Sequence, residues 1–332
     1  MGAFFGLDVG SSQVKVLQAE KENTGFRLSH FAAVTHAGGE IAVTIQKAMK
    51  QAGIKVAAEV NLALPESDVY TRIIETPRLS ETELASSVQY EAEQYVPVSL
   101  AEVELFHQSL EEPSQVVDKK TMRVLLIAVP KEKIKKLTQL MDQAGLIPKS
   151  LETELFSLKR IFSDLQKSQL LILFGHKTTD LMIMEKGSPL FLHSMGSGGL
   201  ALTKSLTTEL SLAEEQAEQY KRTYGLREDL LEGKVAKVLT PLIDEVVNQV
   251  NKAFTYIQQQ GNKKLPEQLI ITGGGALLPG LSGYLVKKLN MEVVVGDPFK
   301  RFVKDEKFKK LITADSNPHL GTVAGLALKS WL

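Results

Sequence analysis

Three consecutive glycines are the part of this chain best suited to close contact with a ligand. Gly273, Gly274 and Gly275 follow an apolar run that begins at Leu269, and a helix is predicted to begin near Pro279. Glycine has no Cβ, so the backbone here can approach a ligand closely and adopt positive φ. A strand, a glycine loop and a helix N-terminus together predict a nucleotide- or anion-binding site. The same glycines could also serve only to make a tight turn.

A second glycine turn lies near the N-terminus, between two predicted strands. Its residues are Gly10, Ser11 and Ser12, with Asp8 at the end of the first strand and Lys15 on the next strand. Backbone N–H groups and the two hydroxyls could hold phosphate oxygens. Asp8 could orient Mg²⁺ through water, because carboxylates suit hard cations, and Lys15 would add positive charge. The alternative is an ordinary β-hairpin.

A third turn repeats this pattern about half a chain later. Residues 170–184 predict strand, turn and strand around Gly175, and a further strand at Pro189–His193 leads to Gly198, Gly199 and a helix. Internal repeats are a primary indicator of architecture. Two strand-turn-strand halves with a C-terminal glycine loop predict a nucleotide clamped between two related subdomains.

Composition excludes several other classes of function. The 332 residues contain 39 basic and 39 acidic side chains, no cysteine, and six histidines without metal-ligand spacing. Zero formal charge gives no support for a nucleic-acid partner, and a disulfide framework, a thiolate nucleophile or a cysteine-based zinc site is impossible. Apolar runs are too short to span a membrane, and neither a signal peptide nor a myristoylation motif is present. We therefore expect a cytoplasmic protein.

Hydrophobic periodicity predicts an α/β chain with an α+β insert. Ser80 and Glu83 form a capping box that begins one of the helices. The strands are predicted at 3–9, 13–20, 25–35, 59–65, 69–76, 103–110, 121–129, 170–174 and 189–193, with a polar loop at 111–120. The helices are predicted at 40–52, 80–95, 131–144, 153–165, 199–210, 213–224, 239–260 and 320–331. The predicted organisation is a first half at 1–77, an inserted subdomain at 78–165 and a second half at 166–332.

In this order, the elements resemble the actin-like ATPase superfamily, and within it the type IV pilus assembly protein PilM family, which is related to FtsA. The resemblance covers essentially the whole chain. It rests on Leu7–Lys15, Leu64–Ser67, Thr76-Pro77, Glu83-Leu84, Glu91–Pro97, Ala128–Lys131, Ala144–Leu146, Gly198-Gly199 with Thr203, Ala217–Arg222, Gly273–Gly275 and His319–Leu328. It implies a bilobed actin-like, ribonuclease H-like α/β fold with an inserted α+β subdomain.

The resemblance also implies the nucleotide contacts, with ATP and Mg²⁺ as ligands. The matching positions are Asp8, Gly10, Ser11, Ser12 and Lys15 for the first phosphate loop, Gly198 and Gly199 for backbone phosphate contacts, Glu218 and Lys221 for ribose and adenine, and Gly273, Gly274 and Gly275 for the adenosine loop. Glu218 and Lys221 share a helix face at i and i+3. Taken alone, they would be read as a surface ion pair.

One departure from the family pattern bears on catalysis. The second phosphate loop usually reads Asp-x-Gly, but here the triplet is Leu173-Phe174-Gly175. Phosphoryl transfer depends on positioning and charge stabilisation, so loss of a carboxylate should impair hydrolysis more than binding. Asp180 is predicted on the following strand and is not expected to replace the missing carboxylate. We expect ATP binding with slow or absent hydrolysis.

The resemblance implies an adaptor function. It suggests a protein at the inner face of the cytoplasmic membrane that binds the cytoplasmic tail of a PilN-like protein in a groove within 78–165, with possible self-association. One alternative is an FtsA-like division protein, which would carry a C-terminal membrane helix, whereas only Lys329–Leu332 follow the last motif. Another is a small-molecule kinase, which would need a base that Leu173-Phe174 does not supply.

Overall fold

Strands and helices alternate through most of the chain. The computed structural model describes residues 4–36, 39–54, 59–110, 120–261, 264–312 and 318–332. The strands are β1 (Phe4–Val9), β2 (Gln13–Glu22), β3 (Gly25–Thr35), β4 (Glu59–Leu64), β5 (Tyr70–Pro77), β6 (Val103–Ser109), β7 (Thr121–Pro130), β8 (Ile147–Thr153), β9 (Ser168–Phe174), β10 (Thr179–Glu185), β11 (Ser188–Met195), β12 (Gln268–Thr272) and β13 (Glu292–Val295). The helices are α1 (Ile41–Ala52), α2 (Glu81–Tyr95), α3 (Lys131–Ala144), α4 (Glu154–Phe162), α5 (Gly199–Glu209), α6 (Glu214–Tyr224), α7 (Lys234–Gln259), α8 (Leu281–Leu289), α9 (Glu306–Leu311) and α10 (Gly321–Leu328).

Two five-stranded sheets share one topology. The first has the order β3-β2-β1-β4-β8 and the second β11-β10-β9-β12-β13. In each sheet three strands form an antiparallel meander, and the last two strands join in parallel. The duplication predicted from the strand-turn-strand repeats thus extends to whole sheets.

A small third sheet carries the α+β insert. Its order is β5-β7-β6, and α2 covers one face through a cluster that includes Leu84, Val88 and Leu126. The predicted capping box begins α2, because the Ser80 side chain accepts from the Glu83 backbone N–H and the Glu83 carboxylate accepts from the Ser80 backbone N–H. Residues 111–119 of the predicted polar loop lie outside the described residues.

The elements group differently from the boundaries predicted at 77/78 and 165/166. The strand β5, assigned to the first half, pairs with β7 in the small sheet. In contrast, β8 completes the first sheet, and Met141 and Ala144 of α3 are buried in the core of the first half. We therefore propose that the insert is better described as residues 70–130.

Three elements have no counterpart among the strands and helices predicted from the sequence, including those predicted around the glycine loops. These are β8, β13 and α9, and α7 also begins at Lys234, five residues before its predicted start. The strand β8 is an edge strand with mostly exposed residues, so its pairing with β4, and not an alternating apolar pattern, decides its conformation. Residues 153–165, predicted as one helix, are the end of β8, the helix α4 and the turn that follows it.

The helices α4 and α10 cross between the two halves. Glycines permit close approach, because a Cβ on Gly6 of β1 would lie 2.6 Å from the Val323 carbonyl oxygen, and a Cβ on Gly325 would collide with the Ser157 backbone. The hydroxyl of Ser157 donates to the Thr322 carbonyl oxygen at 2.7 Å. The C-terminal helix therefore returns to the first half and brings the last glycine loop toward the first.

Candidate functional site

Asp8 and Lys15 form a cross-strand ion pair at the first glycine turn. They are direct partners in the β1–β2 register, and Lys15 Nζ donates to Asp8 Oδ2 at 2.8 Å. A Cβ on Gly10 would lie 3.8 Å from Lys15 Nζ and 3.9 Å from Asp8 Oδ1. Ser11 and Ser12 are exposed at the turn. All five predicted first-loop residues therefore lie around one small region.

His36, which no motif in the sequence marks, holds the far side of this turn. Its Nε2 lies 3.0 Å from the Gly10 carbonyl oxygen, and its backbone N–H donates to the Ser12 carbonyl oxygen at 3.1 Å. With these two carbonyl groups bonded to His36, the conformation of the turn is held from outside. A polar residue directly after the β3 pattern was the only signal in the sequence.

The second turn has the same backbone form and caps the helix α5. The N–H of Gly175 donates to the Thr178 carbonyl oxygen at 2.9 Å, as Gly10 does to Gln13 at 3.0 Å. The carbonyl oxygens of Gly175 and His176 accept from the first N–H groups of α5, at 3.0 and 2.8 Å. A Cβ on Gly198 would lie 2.7 Å from the His176 oxygen. Close packing of two turns therefore accounts for glycine at 198, and part of the helix N-terminus is already hydrogen-bonded.

Leu173 occupies the position in the second half that Asp8 occupies in the first. The Leu173–Asp180 register pair on β9 and β10 corresponds to the Asp8–Lys15 pair on β1 and β2. Asp180 lies on the next strand, as predicted, but directly opposite Leu173. Because opposed residues share a sheet face, its carboxylate is on the strand position next to the missing one.

The surroundings of these two side chains differ. Leu173 joins an apolar cluster with leucines of α4. Asp180 is fully buried, and the hydroxyls of Thr178 and Ser194 donate to its two carboxylate oxygens. Burial raises the pKa of Asp180 to about 6. Asp180 is therefore held by hydrogen bonds inside the protein, and a fraction of this carboxyl group is protonated near neutral pH.

Glu66 is a second buried carboxyl group, and it caps the helix α4. Its Oε1 accepts from the backbone N–H of Leu155 at 3.3 Å, and its Oε2 accepts from the Thr71 hydroxyl at 3.3 Å. Burial, and to a smaller extent the charge of Asp180, raise the pKa of Glu66 to about 7. Glu66 thus joins the start of the insert to a helix that lies between the two halves.

Glu154, the first residue of α4, completes a group of four carboxyl groups. Its burial, followed by the charges of Asp8, Asp180 and Glu66, raises the pKa of Glu154 well above its usual value. The sequence points to Asp8 and Asp180 but not to Glu66 and Glu154, because only folding brings these four carboxyl groups together. Across the described ranges, no group of three or more acidic or histidine side chains has the geometry of a metal site.

The predicted ribose and adenine residues connect α6 to the start of α5. Lys221 Nζ donates to Glu218 Oε2 at 2.6 Å, to the Thr203 hydroxyl at 2.8 Å and to the Gly199 carbonyl oxygen at 3.0 Å. Burial alone would raise the pKa of Glu218, but hydrogen bonds from Lys221, Thr203 and Arg222 lower it to about 2. Since Lys221 is buried with three oxygen partners, the pair is not a solvated surface ion pair.

The third glycine loop packs directly on the second turn. Gly273 has φ 84°, and a Cβ there would lie 2.5 Å from the Phe174 carbonyl oxygen. A Cβ on Gly275 would enter the ring of Phe174. The tight-turn interpretation and the ligand-binding interpretation are therefore compatible, because the loop needs glycine to pack beside Phe174 whether or not a ligand is present.

The same loop is tied to the turn before α10. The Gly273 N–H and the Thr272 hydroxyl donate to the Pro318 carbonyl oxygen at 2.9 and 3.0 Å. A Cβ on Gly274 would lie 2.8 Å from Cε1 of His319. Desolvation of its ring by the packed loops, and then the charges of Lys15 and Arg222, lower the pKa of His319. The third loop thus packs on the second turn and on the turn before α10, and Lys15 of the first turn and Arg222 of α6 are near enough to act on His319. We call the region bounded by these residues the cleft.

The sequence matches a known family over nearly its whole length. The family model described as type IV pilus assembly protein PilM covers residues 6–331. The chain belongs to the PilM family. A similar protein is the cell division protein FtsA of Streptococcus pneumoniae, which is 21% identical over 94% of this chain and 79% of its own length.

Solved structures show that this PilM-family chain has the actin-like fold predicted from the sequence. A PilM–PilN type IV pilus biogenesis complex has a TM-score of 0.84 at 22% identity, covering 98% of each chain. MreB5 of Spiroplasma citri bound to AMPPNP has a TM-score of 0.53 at 14% identity, covering 98% of this chain and 95% of the other. In the part of the chain that the structure describes, no helix is both long and apolar enough to cross a bilayer.

Proposed function

We propose that this PilM-family chain is a nucleotide-binding adaptor of type IV pilus assembly that binds the cytoplasmic tail of a PilN-like inner-membrane protein. The observation that carries the nucleotide part is the packing of the second and third glycine turns on each other, with the Glu218–Lys221 pair bonded to the start of α5 and Lys15 of the first turn near enough to act on His319. Support for the partner comes from the similar fold of a PilM–PilN complex. Peripheral membrane association would then occur through the partner.

ATP with Mg²⁺ fits the side chains of the cleft. Lys15 and the turn at Gly10–Ser12 would hold phosphate oxygens, and Glu218 and Lys221 would contact the nucleoside. Asp8 would hold Mg²⁺ through water, and its neighbouring carboxyl groups offer only the oxygen donors that this hard cation prefers. When bound, Mg²⁺ would supply charge neutralisation of the phosphates. Binding of nucleotide must rearrange the Lys15–Asp8 hydrogen bond. This bond occupies the ammonium group that would hold phosphate and the carboxylate that would hold Mg²⁺.

Hydrolysis is proposed to be slow or absent. Leu173 places methyl groups where a carboxylate would orient a cation or water, and both oxygens of Asp180 already accept hydrogen bonds from hydroxyls. We expect no steady ADP production above the background of an Asp8→Ala variant in a coupled assay with MgATP. Mg²⁺-dependent turnover that Asp8→Ala abolishes would contradict this proposal.

The exposed β6 edge of the small sheet, on the face opposite α2, is the proposed tail-binding surface. On this face Phe106 of β6 lies opposite Ile127 of β7, and Phe106 is 51% exposed. Ile127 of β7 and Ile134 of α3 both pack against an apolar cluster of Leu64, Val69 and Val129. Because β6 is an edge strand of its sheet, its backbone can accept an added strand, with specificity set by alternate side chains.

A calorimetric titration with a PilN-type tail peptide tests this surface, with and without MgATP. We expect saturable binding that nucleotide alters, and about tenfold weaker binding for Phe106→Ser. The matched control is Tyr90→Ser on α2, because Tyr90 is 65% exposed but lies on the helix that covers the opposite face. Equal affinity of the two variants would contradict the surface, and absence of binding by the unaltered protein would remove the adaptor function.

Arg123 provides a contact through which nucleotide could influence this surface. Its guanidinium donates to the Ser188 hydroxyl at 2.9 Å and to the Pro189 carbonyl oxygen at 3.2 Å. Ser188 begins β11 and lies at one end of the β10–β11 hairpin. Asp180 and Ser194 lie at the other end of this hairpin, beside the second turn. Closure of the cleft would therefore move the hairpin against the small sheet and shift the population of tail-binding conformations.

A further inference from the structure

Each glycine element of the cleft has a histidine beside it. Of the six histidines in the chain, His36 bonds to the first turn, His176 follows Gly175 in the second, and His319 packs against Gly274 of the third. Imidazole is the side chain whose charge changes most easily near neutral pH.

His319 has the most suitable geometry for contact with a ligand. It follows Pro318, whose carbonyl oxygen accepts hydrogen bonds from Gly273 and Thr272, so its backbone is held against the loop. Its ring atoms Cε1 and Nδ1 lie against Gly274, yet the residue as a whole is exposed. The backbone therefore holds the imidazole beside Gly274, where it is accessible to a molecule that enters the cleft.

Two cations act on His319, and each is paired with a carboxylate, Lys15 with Asp8 and Arg222 with Glu218. After desolvation, Lys15 from β2 and Arg222 from α6 lower its pKa. At His176, desolvation and then Lys221 lower the pKa, with Lys177 acting in the same direction, while Glu218 and Glu214 oppose them. A polyphosphate bound among these cations would reverse the field at His319 and favour its charged form.

We propose that His319 contacts the phosphates of a bound nucleotide and takes up a proton from solvent as the nucleotide binds. The proton returns to solvent on release, so no covalent step is involved. This inference rests on the proposed nucleotide binding and adds that affinity for nucleotide falls as pH rises. Linkage limits the effect of one proton to about tenfold in dissociation constant per pH unit.

Titration calorimetry with MgADP at pH 6, 7 and 8, in two buffers of different ionisation enthalpy, measures both affinity and proton uptake. Excess Mg²⁺ keeps the terminal phosphate ionised. We expect affinity about threefold or more weaker at pH 8 than at pH 6, with net proton uptake at pH 7. In His319→Gln the affinity should lose most of its pH dependence and the uptake should vanish, while binding at pH 8 changes little.

His193→Gln is the matched control, because this histidine packs beside Phe191 on β11, outside the three loops. A second measurement does not depend on any variant. The imidazole resonances of histidine-labelled protein should show the His319 titration moving to higher pH when MgADP is added.

Several results would overturn the inference. Unchanged titration of His319, or full pH dependence retained in His319→Gln, would refute it, as would loss of the dependence only in His176→Gln. Binding of MgADP with no pH dependence would refute the proton linkage alone. Failure of the unaltered protein to bind MgADP at any pH would refute the proposed nucleotide binding as well.

Discussion

Replacing Glu66 with glutamine should stabilise the protein at alkaline pH and change little at acid pH. The buried carboxyl group has a pKa of about 7 in the folded protein, against 4.5 when unperturbed. The folded state therefore binds this proton more tightly than the unfolded state. Its contribution to stability is fully present below pH 4.5 and is lost as the pH rises through about 7.

The magnitude follows from the two pKa values. The interval from 4.5 to about 7, at about 1.4 kcal/mol per unit, corresponds to about 3 kcal/mol over the whole range and about 2 to 3 kcal/mol between pH 5 and 8.5. Glutamine is neutral throughout, and its amide oxygen can still accept from the Leu155 N–H that caps α4. Other titrating groups are common to both proteins and largely cancel in the difference.

Urea unfolding at pH 5, 6, 7 and 8.5 provides the assay. The single tryptophan, Trp331, packs against Phe4 with ring centroids 5.2 Å apart, so its fluorescence reports docking of the C-terminal helix on the first half. Glu93→Gln on the exposed side of α2 is the control. The reasoning fails if Glu66→Gln and Glu93→Gln follow the same pH dependence, or if Glu66→Gln is less stable than the unaltered protein at pH 8.5.

Three further predictions concern the cleft and its connections. Lys221→Met should weaken MgATP binding by at least about tenfold, which calorimetry would measure. It also leaves the Glu218 carboxylate without its shortest hydrogen bond, and urea unfolding would detect the resulting loss of stability. Unaltered affinity would exclude Lys221 from the nucleotide site. Gly275→Ala should cost about 1 to 3 kcal/mol because the methyl group enters the Phe174 ring, whereas Gly283→Ala, with open space around it inside α8, should stabilise by up to about 1 kcal/mol; similar losses in both would contradict the packing argument. Arg123→Met should leave tail-peptide affinity without nucleotide nearly unchanged but reduce the effect of MgATP on it, and a full nucleotide effect in this variant would exclude that contact as the route.

Local signals predicted the residues whose chemistry is contained in one turn. The hairpin of Asp8 and Lys15 was predicted because strand period, turn residues and spacing all lie within about ten positions. The capping box at Ser80 was predicted for the same reason. The strand β8 was missed because its residues are exposed and its conformation depends on hydrogen bonds to β4, a strand about ninety residues earlier.

The sequence alone determined the three glycine turns, the duplication of the halves and the family, because glycine requirements, strand period and motif order are all recorded along the chain. Only the tertiary structure decided which carboxyl groups meet. The register of β9 and β10 places Asp180 opposite Leu173, and the cap of α4 brings Glu66 within reach of Leu155. Such neighbours are set by sheet register and helix packing between distant segments, and their pKa values follow from the shared burial that this packing creates.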